Sequence, residues 1–129
     1  NGYAVIRRTW KPGDRIDFDL PMEIQTITAD NKIVADRGRI ALRYGPLVYN
    51  VEKADQPDID KYLGTGPLET AWRGDLLNGV MIIKGKWEDG SPLTAIPNFV
   101  RNNRNTVKST DKSEPENPGE GSIVWINKR

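Results

Sequence analysis

Residues 38–52 read GRIALRYGPLVYNVE, and the way this stretch divides decides the fold. Ile40, Leu42 and Tyr44 share one side of an extended chain; after Gly45-Pro46, Leu47, Tyr49 and Val51 do the same. Period two is the pattern of a half-buried strand. Glycine tolerates positive φ, and proline withdraws a donor, so this dipeptide turns or bulges the chain where pairing stops. Two short strands are expected, Arg39–Tyr44 and Leu47–Val51, burying their faces in one core.

The same periodicity recurs on both sides. Ile16, Phe18 and Leu20 alternate with Arg15, Asp17 and Asp19, behind the turn chemistry of Pro12-Gly13. With Tyr3–Thr9 this predicts a hairpin over residues 3–20, followed by a strand over Met22–Thr28 and a short irregular strand at Ile33–Ala35. Residues 53–78 read as a long connection with one helical turn near Asp58–Leu63. Val80–Ile83 is a buried central strand, Leu93–Ile96 its partner, and Ser122–Asn127 a last strand built into a sheet. Residues 105–121 are almost free of apolar side chains and read as a mobile surface loop. The result is one all-β domain over residues 1–129, mostly antiparallel, of about eight strands, in a sandwich or jelly-roll-like arrangement.

Composition narrows the chemistry. The 129 residues carry 19 Lys+Arg against 18 Asp+Glu, a balance that argues against a nucleic-acid surface. No apolar run is long enough to span a membrane as a helix. There is no histidine and no cysteine, so no thiol nucleophile, imidazole base or Cys-held metal can come from these residues. Asp17 and Asp19 project the same way from one strand face and read as a solvated face, not as a facing catalytic pair. The sequence supplies no catalytic residue, metal ligand or cofactor site.

Aromatic side chains are the remaining candidates for function. Trp10, Trp87 and Trp125 are expected as core or near-core anchors. Trp72, beside Arg73 in the weakly patterned connection, is either an exposed ring on which a sugar could stack or a plug over the sheet edge. Arg101 and Arg104, among asparagines after Pro97, could contact a sugar or a neighbouring domain, or simply be solvated.

Two stretches add up to a family resemblance. GYAVIRRTWKPGDRIDFDLPMEIQ and ADRGRIALRYGPLVYNVEKAD resemble the region after the catalytic domain in glycoside hydrolase family 127, the β-L-arabinofuranosidase-like proteins. The matching positions include Gly2, Tyr3, Arg8, Trp10, Lys11, Gly13, Asp14, Met22, Gly38, Arg39, Ala41, Leu42, Gly45, Pro46, Leu47, Val48, Tyr49 and Glu52. PLTAIPNFVRNNR and GSIVWI are similar to later segments of the same pattern. Asn98-Phe99-Val100 departs from it, as does an insertion over Asn105–Pro118. The resemblance implies an upstream helical toroid carrying a catalytic Glu and Cys, with zinc held by Glu and Cys ligands. This chain would then be an accessory part of a larger protein, buttressing that toroid, with a plant-type glycan as substrate of the whole and a homodimer as a further partner. Periplasmic or secreted localisation follows by the same resemblance. The alternatives are an independent carbohydrate-binding module and an oligomerisation domain.

Overall fold

The structure, a computed structural model, describes residues 3–103 and 121–129. Eight strands form it: β1 (Ile24–Thr28), β2 (Arg39–Tyr44), β3 (Leu47–Glu52), β4 (Glu69–Arg73), β5 (Val80–Lys86), β6 (Pro92–Pro97), β7 (Ser122–Ile123) and β8 (Ile126–Asn127). Two 3-10 turns, Val34–Asp36 and Asn98–Val100, are the only helical residues described. The named strands all pair antiparallel in one curled sheet, in the order β1-β2-β3-β6-β5-β4, with β7 on β3 and β8 on β2. The all-β expectation therefore stands.

Gly45 and Pro46 make a two-residue hairpin turn, with Tyr44 opposite Leu47. Gly45 takes φ +54 at the first central position, where proline-fixed geometry follows, as in a type II′ turn whose twist matches the flanking strands. The turn is strapped from outside. Its N–H donates to the Glu23 carbonyl (3.2 Å), and a Cβ at Gly45 would overlap Sδ of Met22.

β2 and β3 pair only beside this turn, at Arg43–Val48 and Tyr44–Leu47. Further on they part, and the C-terminal segment fills the gap. Ile126 pairs with Ile40 of β2, and Ile123 pairs with Val51 of β3. The sheet closes on the far side through Tyr62–Gly64: Leu63 N–H donates to the Asn127 carbonyl (2.9 Å) and Gly64 N–H to the Lys86 carbonyl (3.0 Å). Lys61 adds an ion pair to Asp89 in the β5–β6 turn (2.8 Å). That ammonium, with Ser91, holds the Asp89 carboxyl well below the usual carboxylate range.

Two apolar clusters lie on the two faces of β5 and β6. Inside the curl sit Leu42, Tyr49, Val51, Ile83, Trp87, Leu93 and Ile126; on the other face Leu76, Val80, Ile82, Ile96 and Val100. Apolar burial of this kind drives folding at roughly 25 cal/mol per Å². A buried polar group joins the sheet to its loops. Glu52 Oε1 accepts from Asn102 N–H (2.8 Å) and Asn50 Nδ2 (3.3 Å), and the Gln56 amide pairs with the Thr94 backbone, accepting at 2.9 Å and donating at 3.0 Å.

Four expectations are corrected. Residues 3–20 form no strand or hairpin; they are exposed and carry no regular structure beyond one turn. Their turn does form, with Asp14 N–H donating to the Lys11 carbonyl (3.1 Å) and Gly13 at φ +90. Proline followed by such a glycine is a type II turn, and that twist splays flanking strands instead of pairing them. The 53–78 connection hides a strand, β4, and has no helical turn at 58–63. Residues 34–36 are 3-10, not strand. Residues 122–127 make two short strands, because their two ends face different neighbours. The loop expected over 105–121 lies, apart from Gly121, outside the described residues.

Closure by Tyr62–Gly64 can be tested with two neighbouring glycines. A Cβ on Gly64 would come within 2.8 Å of the Lys86 backbone oxygen and 3.0 Å of Trp87 O, whereas one on Gly66 meets nothing. Gly64→Ala is expected to cost about 1–3 kcal/mol in urea denaturation, as overpacking against rigid backbone does. Gly66→Ala should leave the midpoint almost unchanged; equal effects would refute the closure.

Candidate functional site

β4 is an outer strand of the sheet, hydrogen-bonded to β5 along one side only. Its register places Ala71 and Arg73 against Ile82 and Val80, on the face of the second cluster, and Thr70 and Trp72 against Ile83 and Met81, on the opposite face. Trp72 and Arg73 thus share a strand and project from its two sides.

Trp72 is 65% exposed, yet its ring is seated. The β4–β5 connection turns through three residues of positive φ, Leu77 (47), Asn78 (64) and Gly79 (116). A Cβ on Gly79 would overlap the ring at Cζ2, and one on Gly74 would lie 3.5 Å from Nε1. The indole therefore rests on bare backbone, with much of its surface open to solvent. Both readings of Trp72, exposed ring and cover over the sheet edge, describe parts of this geometry. Beneath its strand partner, the buried Tyr49 hydroxyl donates to the Met81 carbonyl (2.8 Å). Burial, with Tyr44 adding to it, pushes the Tyr49 phenol up to about 12.

Arg73 is held by two carboxylates. Its Nη1 pairs with Asp55 (2.6 Å), whose side chain is only 7% exposed, and its Nε with Asp75 (3.2 Å). The hydrogen bond it donates to Asp55 is the main reason the guanidinium titrates above its ordinary range, with desolvation opposing it. A guanidinium engaged on both edges is an anchor for the 53–68 connection more than a hand extended to a ligand. Arg101 stands exposed where the second 3-10 turn ends, and the Val100 before it is buried in the cluster that Ala71 also packs against. Arg104 lies outside the described residues. The other tryptophans divide: Trp87 is buried, Trp125 half-buried, and Trp10 is exposed on the N-terminal segment, against the expectation that it anchors the core.

Elsewhere, a concavity between the end of β1, the β1–β2 connection and the C-terminal residues is lined by Asp30, Asp36, Arg37, Arg39 and Lys128. Its charges are of both signs, and Trp72, Arg73 and Arg101 do not line it. No group of three or more Asp or Glu among the described residues is arranged to hold a metal ion.

The molecule defined so far is a curled all-β domain whose distinctive surface is a sheet edge with a seated aromatic ring. Comparison with known proteins gives that class its family. Residues 24–110 match the glycoside hydrolase family 127 C-terminal domain, and the chain belongs to that family. The non-reducing end β-L-arabinofuranosidase of Bifidobacterium longum subsp. longum is 34% identical over 76 residues, covering 53% of this chain and 12% of that enzyme. The crystal structure of a family 127 β-L-arabinofuranosidase from Geobacillus stearothermophilus T6 superposes with a TM-score of 0.66 at 28% identity, over 84% of this chain and 19% of that one. A second family 127 β-arabinofuranosidase superposes with a TM-score of 0.62 at 21% identity, covering 84% of this chain and 18% of its own, a likeness of fold. The chain therefore spans about 12% of the curated relative and about a fifth of each solved one.

Two outcomes are expected at this edge. The neutral phenol of Tyr49 is favoured by the fold, so its stabilising contribution is complete below pH 10 and is lost as pH rises from 10 towards 12. Tyr49→Phe should remove a late component, near pH 12, from the alkaline absorbance titration at about 295 nm; a variant titrating like the parent throughout would contradict the burial. Gly79→Ala should dislodge the indole, seen as a shift in tryptophan emission, and cost about 1–3 kcal/mol because both φ and the ring resist a methyl group. An unshifted spectrum at unchanged stability would show that the ring is not seated there.

Proposed function

We propose that this chain is a non-catalytic accessory domain of a family 127 glycoside hydrolase acting on β-L-arabinofuranosides. In this reading it is carried in the same polypeptide as a catalytic helical toroid, which it buttresses. The observation that carries the reading is the extent of the match: it is to the family's C-terminal domain, and it leaves over four-fifths of each arabinofuranosidase relative to the remainder of the molecule. The sequence agrees. A catalytic thiol and a Cys-held zinc, which the family resemblance implies for the enzyme, cannot be supplied by a chain with no cysteine. What these residues offer is a closed, well-packed support. Glycans of plant type are met outside the cytoplasm, which makes a periplasmic or secreted enzyme the natural setting.

One observation favours a second reading, carbohydrate binding. An indole pinned on glycine backbone with its surface exposed presents an apolar plane to the CH face of a furanose, at little entropic cost.

Turnover of an aryl β-L-arabinofuranoside by the full-length enzyme, and none by the purified 129-residue chain, is the expected result. Turnover by the isolated chain would sink the accessory role. Titrating the chain with arabinan fragments while following tryptophan emission separates the second reading: a saturable change abolished by Trp72→Ala supports it, and a flat titration removes it.

A further inference from the structure

Residues 3–22 contain half of the exposed large apolar side chains among the described residues. Tyr3 is 87% exposed, Phe18 72% and Leu20 65%. Ile16, Phe18 and Leu20 alternate with Arg15, Asp17 and Asp19, which is the pattern of a strand with one buried face, yet among the described residues all three stay exposed.

The segment is not shapeless. Its turn is fixed at three points. Lys11 N–H donates to the Asp14 carboxylate (2.8 Å), Arg8 pairs with the same carboxylate (3.0 Å), and the Arg8 guanidinium lies 5.0 Å from the Trp10 ring centre. Because this turn is type II, its flanks diverge, and they pair with none of the described strands. The segment joins the sheet where Met22 and Glu23 strap the β2–β3 turn. The family match begins at Ile24, the first residue of β1, so the segment lies just outside the matched domain.

We propose that residues 3–20 complete a β-sheet of the domain that adjoins this one in the longer family 127 polypeptide. Their flanks add as strands to that sheet's edge and bury Ile16, Phe18 and Leu20 in its core. The inference rests on the reading of this chain as part of a longer enzyme. A sheet is the partner because the apolar period is two; a helix-binding groove would need a period near 3.6. The same polypeptide is the partner because the match is to a C-terminal domain, so the bulk of each relative precedes it, and tethering raises its effective concentration far above that of a second copy.

The test is amide hydrogen exchange over residues 14–20, in the 129-residue chain and in the full-length enzyme. Free exchange in the short chain at every concentration, with roughly 100-fold or greater protection in the full-length protein, is expected. Free exchange in both would overturn the proposal. Protection that appears in the short chain as its concentration rises would overturn it too, in favour of exchange between copies. Phe18→Asp gives an independent check: it should leave the thermal midpoint of the short chain unchanged and lower that of the full-length protein. Equal midpoints in the full-length parent and variant would count against burial. A full-length protein that fails to cleave arabinofuranosides, yet protects these amides, would remove the enzymatic reading and leave the arm assigned.

Discussion

The fold depends on the parting of β2 and β3 beyond the turn that joins them. Gly45-Pro46 starts the two strands as a tight pair, but after Arg43–Val48 they separate. Backbone donors and acceptors inside a packed domain must be satisfied, so the gap has to be filled by a chain offering groups to both sides. Ser122–Asn127 does this, with one end on β3 and the other on β2. Its Ile126 then enters the core beside Ile40 and Leu42, so pairing and burial reinforce each other. The same segment gives Asn127 to Leu63, which brings the 62–64 backbone against the end of β5 and closes the curl. Contacts between residues so far apart in sequence cost loop-closure entropy, and the core formed by the closure offsets it.

Much of this was legible in the sequence. Alternation found β1, β2 and β3, a continuous apolar run found β5, and β6 was read as the partner of β5. Alternation says that a face is buried; it does not say against what. Residues 14–20 have the clearest alternation in the chain, and the domain leaves them bare. The Pro-Gly turn held the correcting signal, since the order proline then glycine specifies type II and not a hairpin type. β4 went unread for the opposite reason. As an outer strand it directs only Ala71 to a cluster, so it carries almost no pattern.

The candidate surface was legible in part. Trp72 stood out because its surroundings lack the periodicity that would bury it, and it is exposed. Its seat was hidden in Asn78-Gly79, which reads as turn punctuation, while the need for glycine comes from a ring several residues earlier. Arg73 could not be paired from sequence, because Asp55 lies in a connection with no regular geometry. Asn50 and Glu52 alternate with Tyr49 and Val51 along β3. They are buried, and Glu52 receives the Asn102 backbone N–H, tying the chain after the second 3-10 turn to β3.

The positions that carry the family resemblance divide by what they touch. Met22 lies against Gly45, Gly38 takes φ +72 where its carbonyl accepts from Lys128 N–H (2.8 Å), and Leu42, Tyr49 and Glu52 are buried. Each of these has its reason inside the domain: a strap, a turn, a core or a tie to a loop. Arg8, Trp10, Lys11, Gly13 and Asp14 are different, because their described polar and cation–π contacts are with one another. Together they build one turn on a segment that contributes nothing to either apolar cluster. A turn fixed by an ion pair, a cation–π contact and a backbone-to-carboxylate hydrogen bond is costly to assemble on a segment that no described strand pairs with. Such a turn serves the sheet addition proposed above, because ordering it in advance lowers the entropic cost of binding the flanks it aims.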